Sequence, residues 1–123
     1  MAGEHGDAAL RRPVDEPRIS LHFLRLPDGN LNGQGFPATG HISLAALAAD
    51  RIATIPDLTR REHLSLRQLI ASIGELIARY RPRTFLTHVP GWSHALAHAD
   101  HADHAITGIL ATAAWRATAD PAS

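Results

Sequence analysis

The chain has 123 residues and a mass of 13.3 kDa, which suits one domain and not two. Its 45% hydrophobic and 20% charged residues are ordinary for a globular protein, and 12 Arg balance 12 Asp and Glu to a net charge of zero. That balance argues against a nucleic-acid binder working by bulk charge, and it removes the usual argument for an anionic membrane partner. The absence of Cys excludes disulfides, thiolate metal sites and a Cys nucleophile. The absence of Lys excludes Schiff-base and P-loop lysine chemistry. No apolar run reaches the roughly 18 residues of a membrane helix.

Residues 1–17 are small, polar and charged, with Pro13 and Pro17, and read as a disordered arm. They lack the hydrophobic core of a signal peptide, which leaves the cytoplasm as the default location. Ile19 to Leu26 read as a strand stopped by Pro27-Asp28-Gly29-Asn30. Ile19, Leu21 and Phe23 would share one face, and Leu24 and Leu26 the other. Apolar residues on both faces suggest a sheet covered on both sides. Residues 27–42 carry Gly29, Gly33, Gly35 and Gly40 and make a long loop, a feature that is often functional. Ser43 is placed to cap a short helix from Leu44 to about Ile52, with Leu44, Leu47 and Ala48 facing inward.

Thr59-Arg60-Arg61-Glu62 fits a capping box for the clearest helix. Leu66, Leu69, Ile70, Ile73, Leu76, Ile77 and Tyr80 follow at helical spacing, and Pro82 ends it. Arg83 to Val89 read as a second strand, stopped by Pro90-Gly91. A last helix starts near Asp100 or Asp103 and runs to about Ala117, with Ile106, Ile109, Leu110 and Ala113 as its apolar stripe. Residues 118–123 read as a tail. The order strand, helix, helix, strand, helix predicts an α/β domain over residues 18–117 with a Rossmann-like parallel sheet. That sheet is incomplete, with about two strands and three helices, and two strands are too few for stability. On these grounds the chain reads as a piece of a larger domain.

The chemistry concentrates after the second strand. Five of the nine His lie between His88 and His104, in His88-Val-Pro-Gly-Trp-Ser-His94-Ala-Leu-Ala-His98-Ala-Asp100-His101-Ala-Asp103-His104. This stretch leaves the carboxyl end of a predicted strand and enters a helix, where ligands gather in open α/β sheets. Imidazole is the commonest metal-ligating side chain, and His101 and His104 share a helical face. Asp100 and Asp103 can serve as helix caps or as acceptors that orient a His ring. The plainer reading makes each Asp a cap and each His a surface residue. His at spacings of four, three and three is harder to explain that way.

These residues resemble the PIG-L/LmbE-like zinc-dependent N-deacetylases. The resemblance rests on Arg81 to His88, then Asp100-His101-Ala102-Asp103-His104-Ala105. It also rests on Phe23 to Asn30, Gly35-Phe36 and Ser43-Leu44, and it covers roughly residues 18–116. The doubled Asp-His-x-Asp-His form looks like a bacterial branch of the family. The resemblance implies that His104 is a Zn2+ ligand and that His101 stabilises the tetrahedral intermediate or protonates the leaving amine. Asp103 and Asp100 would orient those rings, and Asp28 would support the site or its substrate.

The implied reaction is hydrolysis of the N-acetyl amide of an acetylglucosamine-like sugar. The family's first motif, His-Pro-Asp-Asp, supplies two further ligands and the general base, and this chain lacks it. His5-Gly6-Asp7-Ala8 is only a vague echo. The resemblance therefore implies an incomplete site, inactive alone, with a second chain as one source of the missing half. Relatives of this branch are often exported. The alternative is a non-enzymatic metal-binding or interaction module built on His94, His98, His101 and His104.

Overall fold

The predicted helices form with shifted ends, while the predicted sheet is replaced by local pairing. The computed structural model describes residues 9–90 and 100–119. Among these, strand β1 (Ala9–Arg11) pairs with β2 (Leu21–Phe23), and β3 (Ile55–Pro56) pairs with β4 (His63–Leu64). Both pairs are antiparallel, with Leu10 opposite His22 and Ile55 opposite Leu64. Three α-helices accompany them: α1 (Leu44–Ala48), α2 (Leu66–Tyr80) and α3 (Ala102–Ala119).

The Rossmann-like parallel sheet expected from the sequence is therefore not formed; the fold is a small mixed α/β arrangement with two short antiparallel ribbons. Two causes are visible. β2 takes its partner from a nearby segment, Ala9–Arg11, so the long crossover that a parallel pair requires is not used. Arg83–Val89 has strand-like composition but joins neither sheet. It runs instead along α3, where Phe85 stacks on Trp115 with ring centroids 5.0 Å apart. Further along, the backbone of residues 88–90 crosses closely over Gly108.

Ser43 caps α1, its Oγ accepting the Ala46 amide at 3.0 Å and donating to the Gly33 carbonyl at 2.7 Å. The helix stops at Ala48, short of Ile52, and turns Ala46 rather than Ala48 inward. Helix α2 begins at Ser65, not Thr59: Ser65 and Gln68 form the capping box. The Thr59 to Glu62 segment is instead the hairpin turn between β3 and β4. Asp57 closes that turn by accepting the amides of Arg61 at 3.0 Å and Glu62 at 3.2 Å and the Thr59 hydroxyl. Pro82 acts as expected, and α2 ends with Arg81 in the left-handed region.

The core gathers Leu44 and Leu47 of α1, Ile55 and Leu64 of the second ribbon, Leu69 of α2, and Ile106 and Leu110 of α3. Leu24 and Leu26 pack against it, while Ile19, Leu21 and Phe23 stay about half exposed. The strand expected from Ile19 to Leu26 is thus cut to Leu21–Phe23: Arg25 takes a positive φ of 55°, so Leu24 and Leu26 reach the core from the loop that follows and not from a second strand face. Helix α3 is buried on several sides, as its small residues allow: Ala102, Ala105, Gly108, Ala111 and Ala114 are all covered. Ile109, placed inward by the helical stripe, is 42% exposed.

Candidate metal centre

Two segments make the site: the turn after β2 and the entry to α3. Pro27-Asp28-Gly29 leaves the core edge at Leu26, and Asp28 Oδ1 accepts the Asn30 amide at 2.8 Å, which tightens the turn. Gly29 then approaches α3 so closely that its amide donates to Asp103 Oδ2 at 2.8 Å. A second tie follows, from the Ala102 amide to the Leu31 carbonyl at 3.1 Å. Gly33, with a positive φ of 77°, sits against Ala102 and Ala45, where any side chain would collide. The long glycine-bearing loop is thus bound to the first turn of α3.

This packing brings Asp28, His101 and Asp103 together, with one potential ligand atom from each lying within 4.8 Å of the others. His101 Nε2 is 3.5 Å from Asp28 Oδ1, and His101 Nδ1 is 3.8 Å from Asp103 Oδ2. The Asp103 amide donates to His101 Nδ1 at 3.2 Å, so a neutral ring carries its proton on Nε2, facing Asp28. Asp103 Oδ1 is buried with no hydrogen-bond partner among the described residues. An orphaned carboxylate oxygen is costly unless a cation or donor meets it.

His104 lines the same cleft, of about 440 Å³, with Leu26, Pro27, Asp28, Leu44, His101 and Asp103. Its Nδ1 is 2.8 Å from Asp100 Oδ1, which also accepts the His101 amide at 2.8 Å. The bond from His104 is the main cause holding the Asp100 carboxyl below the ordinary carboxylate range. His104 also stacks on His88, with centroids 4.3 Å apart and planes 2° from parallel, and His101 is tilted against it at 5.4 Å.

The residues singled out in the sequence therefore divide. Asp28, His101 and Asp103 could hold a metal ion. His104, the ligand by resemblance, lies beside that trio and is held by Asp100. His94 and His98 lie outside the described residues. Sequence reasoning missed the Gly29 clamp on Asp103, for which the Asp-Gly turn and the long loop were the only signals. Comparison with family models, curated proteins and solved structures finds no match, so the resemblance rests on the quoted residues alone. Among the described residues, no helix is long and apolar enough to cross a membrane.

Proposed function

We propose that this chain carries a zinc site of the N-deacetylase kind, of the type its sequence resembles, directed at the N-acetyl amide of an acetylglucosamine-like sugar. The carrying observation is the convergence of Asp28, His101 and Asp103 at one cleft, one potential ligand atom from each within 4.8 Å of the others, with Asp103 Oδ1 buried and unpartnered among the described residues. Three protein donors plus an open position is the number that catalytic zinc takes. Two carboxylates and one imidazole are donors that zinc accepts. When bound, zinc supplies polarisation of the amide carbonyl and acidification of a water.

The geometry favours exchanging the two His roles that the resemblance implies. His101 stands with the carboxylates, so it is the ligand in this reading, through Nε2; binding moves the ring proton to Nδ1, which then no longer accepts the Asp103 amide. His104, held through Nδ1 by Asp100, has its other ring nitrogen left for a substrate oxygen or leaving nitrogen. An ionised Asp100 fixes the tautomer and stabilises positive charge on the ring. The general base that the resemblance calls for does not occur in the 123 residues. In this reading a segment bearing His-Pro-Asp-Asp, on the same or a second polypeptide, completes the site.

Calorimetric titration of the full chain with Zn2+ tests the reading. One ion should bind. His101→Ala and Asp103→Ala should each weaken binding by at least about 10–100-fold, the range seen when metal-site partners are removed. His104→Ala should retain the ion but lose acetate release from N-acetylglucosamine once the complementing segment is supplied. A gradual, additive loss on removing His94, His98, His101 and His104 in turn would instead identify a His-rich binding module. No saturable binding would discard both readings.

A further inference from the structure

A net charge of zero hides a segregated distribution. Between Glu62 and Asp100 the only carboxylate is Glu75, and between Asp103 and Asp120 there is none. The same two stretches carry Arg79, Arg81, Arg83 and Arg116. The fold brings them to one end. The last turns of α2 and α3 enclose an apolar cleft of about 390 Å³, lined by Ile77, Pro82, Trp115 and Ala119 with Arg81 at its edge. Arg83 follows Pro82, Arg116 follows Trp115, and Arg81, Arg83 and Arg116 are exposed. Just beyond, Phe85 lies stacked on Trp115, and Leu86 projects with 88% of its surface exposed.

We propose that this end of the molecule is a peripheral docking surface for an anionic lipid bilayer. An Arg lining an apolar cleft, two exposed Arg next in sequence to its lining residues and an exposed aliphatic side chain match the two layers of such a surface, charged headgroups above and hydrocarbon below. An indole edge beside them suits the boundary between the layers. Single-stranded nucleic acid fits less well. The faces that Phe85 and Trp115 turn to each other are already used, and the exposed Leu86 beside them offers bases no stacking platform. The surface lies at the opposite end of α3 from His101 and Asp103, so it is independent of the metal reading.

Co-sedimentation of the full chain with vesicles is the test, using phosphatidylcholine alone and phosphatidylcholine with about one-third phosphatidylserine. Binding should require the anionic lipid and fall steeply with salt. Each Arg near the surface should be worth about fivefold, so the triple variant Arg81→Gln, Arg83→Gln, Arg116→Gln should bind about a hundredfold more weakly. Leu86→Ser should weaken binding without changing the salt dependence. All four positions are exposed, and circular dichroism of the variants establishes that they fold. Equal binding to neutral vesicles, no binding, or stronger binding to a single-stranded oligonucleotide than to anionic vesicles would each overturn the proposal.

Discussion

The Asp103 carboxylate of α3 accepts a 2.8 Å hydrogen bond from the amide of Gly29, 74 positions earlier in the chain. This bond fixes the loop to the helix through Oδ2, the oxygen that also lies 3.8 Å from His101 Nδ1. It also explains the glycine. A Cβ at Gly29 would run into Asp103 Oδ1 and lie 3.2 Å from Cβ of the fully buried Ser43. Gly29→Ala should therefore cost about 1–3 kcal/mol, as overpacking does, and should weaken Zn2+ binding in parallel. Gly40→Ala is the control. Nothing lies within 4 Å of its Cβ position, but its φ is 68°, so only about 1 kcal/mol of backbone cost is expected, with unchanged metal affinity. Urea titration and calorimetry of both variants check this.

The helices were legible because their signals are local. Apolar residues from Leu66 to Tyr80 recur at the helical period, Ser43 is a good cap, and Pro82 is a strong stop. The sheet was not legible, because strand composition does not name a partner. Arg83–Val89 has the right residues, yet it lies along α3, and Ala9–Arg11, inside the stretch read as an arm, pairs with β2. The ribbon β3–β4 is only two residues per strand, too short for any alternation to show. At the site, Asp28, His101 and Asp103 all stood out as residues. Their grouping did not, since it depends on the rotation of α3 at its entry, which the Gly29 and Leu31 ties determine.

Two segments of the same type compete for the start of α2, and one mutation in each separates them. Ser65 accepts the Gln68 amide at 3.2 Å, while Thr59 donates to Asp57 inside a turn. Ser65→Ala should lower stability by about 1 kcal/mol, the typical cost of losing a helix cap. Thr59→Ala should leave helicity unchanged. Asp57→Ala should cost more than Thr59→Ala, because it leaves the Arg61 and Glu62 amides without the acceptor they share. Thermal melts followed at the helical circular-dichroism band distinguish the three.

Stability should fall with pH in two separate windows. Burial, aided by the positive charges of Arg79 and Arg12, lowers the His22 pKa below its ordinary 6.5. The folded state thus prefers the neutral ring, which lies 2.9 Å from the Tyr80 hydroxyl. Its contribution is complete above pH 6.5 and is lost as pH falls through and below that value. One proton limits the slope to less than about 1.4 kcal/mol per pH unit. His22→Gln should flatten this limb. Asp57 and Asp100 are held below the carboxylate value of 3.8 chiefly by their bonds to Thr59 and His104, so their contribution persists above 3.8 and is lost only in stronger acid. A single acid limb identical in wild type and His22→Gln would rule out the histidine's part.

Gly108 gives the sharpest test of how the extended segment is held. Helix propensity alone predicts that replacing a mid-helix glycine with alanine stabilises by about 1 kcal/mol. The packing predicts the opposite sign. A Cβ at Gly108 would press into the His88 carbonyl and lie 2.9 Å from Pro90 N and Val89 C, which are backbone atoms that cannot rotate away. Gly108→Ala should therefore destabilise the protein by about 1–3 kcal/mol. It should also lift residues 88–90 off the helix and break the His88–His104 stack, which is 4.3 Å between centroids. In the imidazole NMR spectrum, His88 and His104 should both shift while His22 and His63 stay in place. A gain in stability with no change at His88 would mean that the segment does not rest on α3 at this glycine.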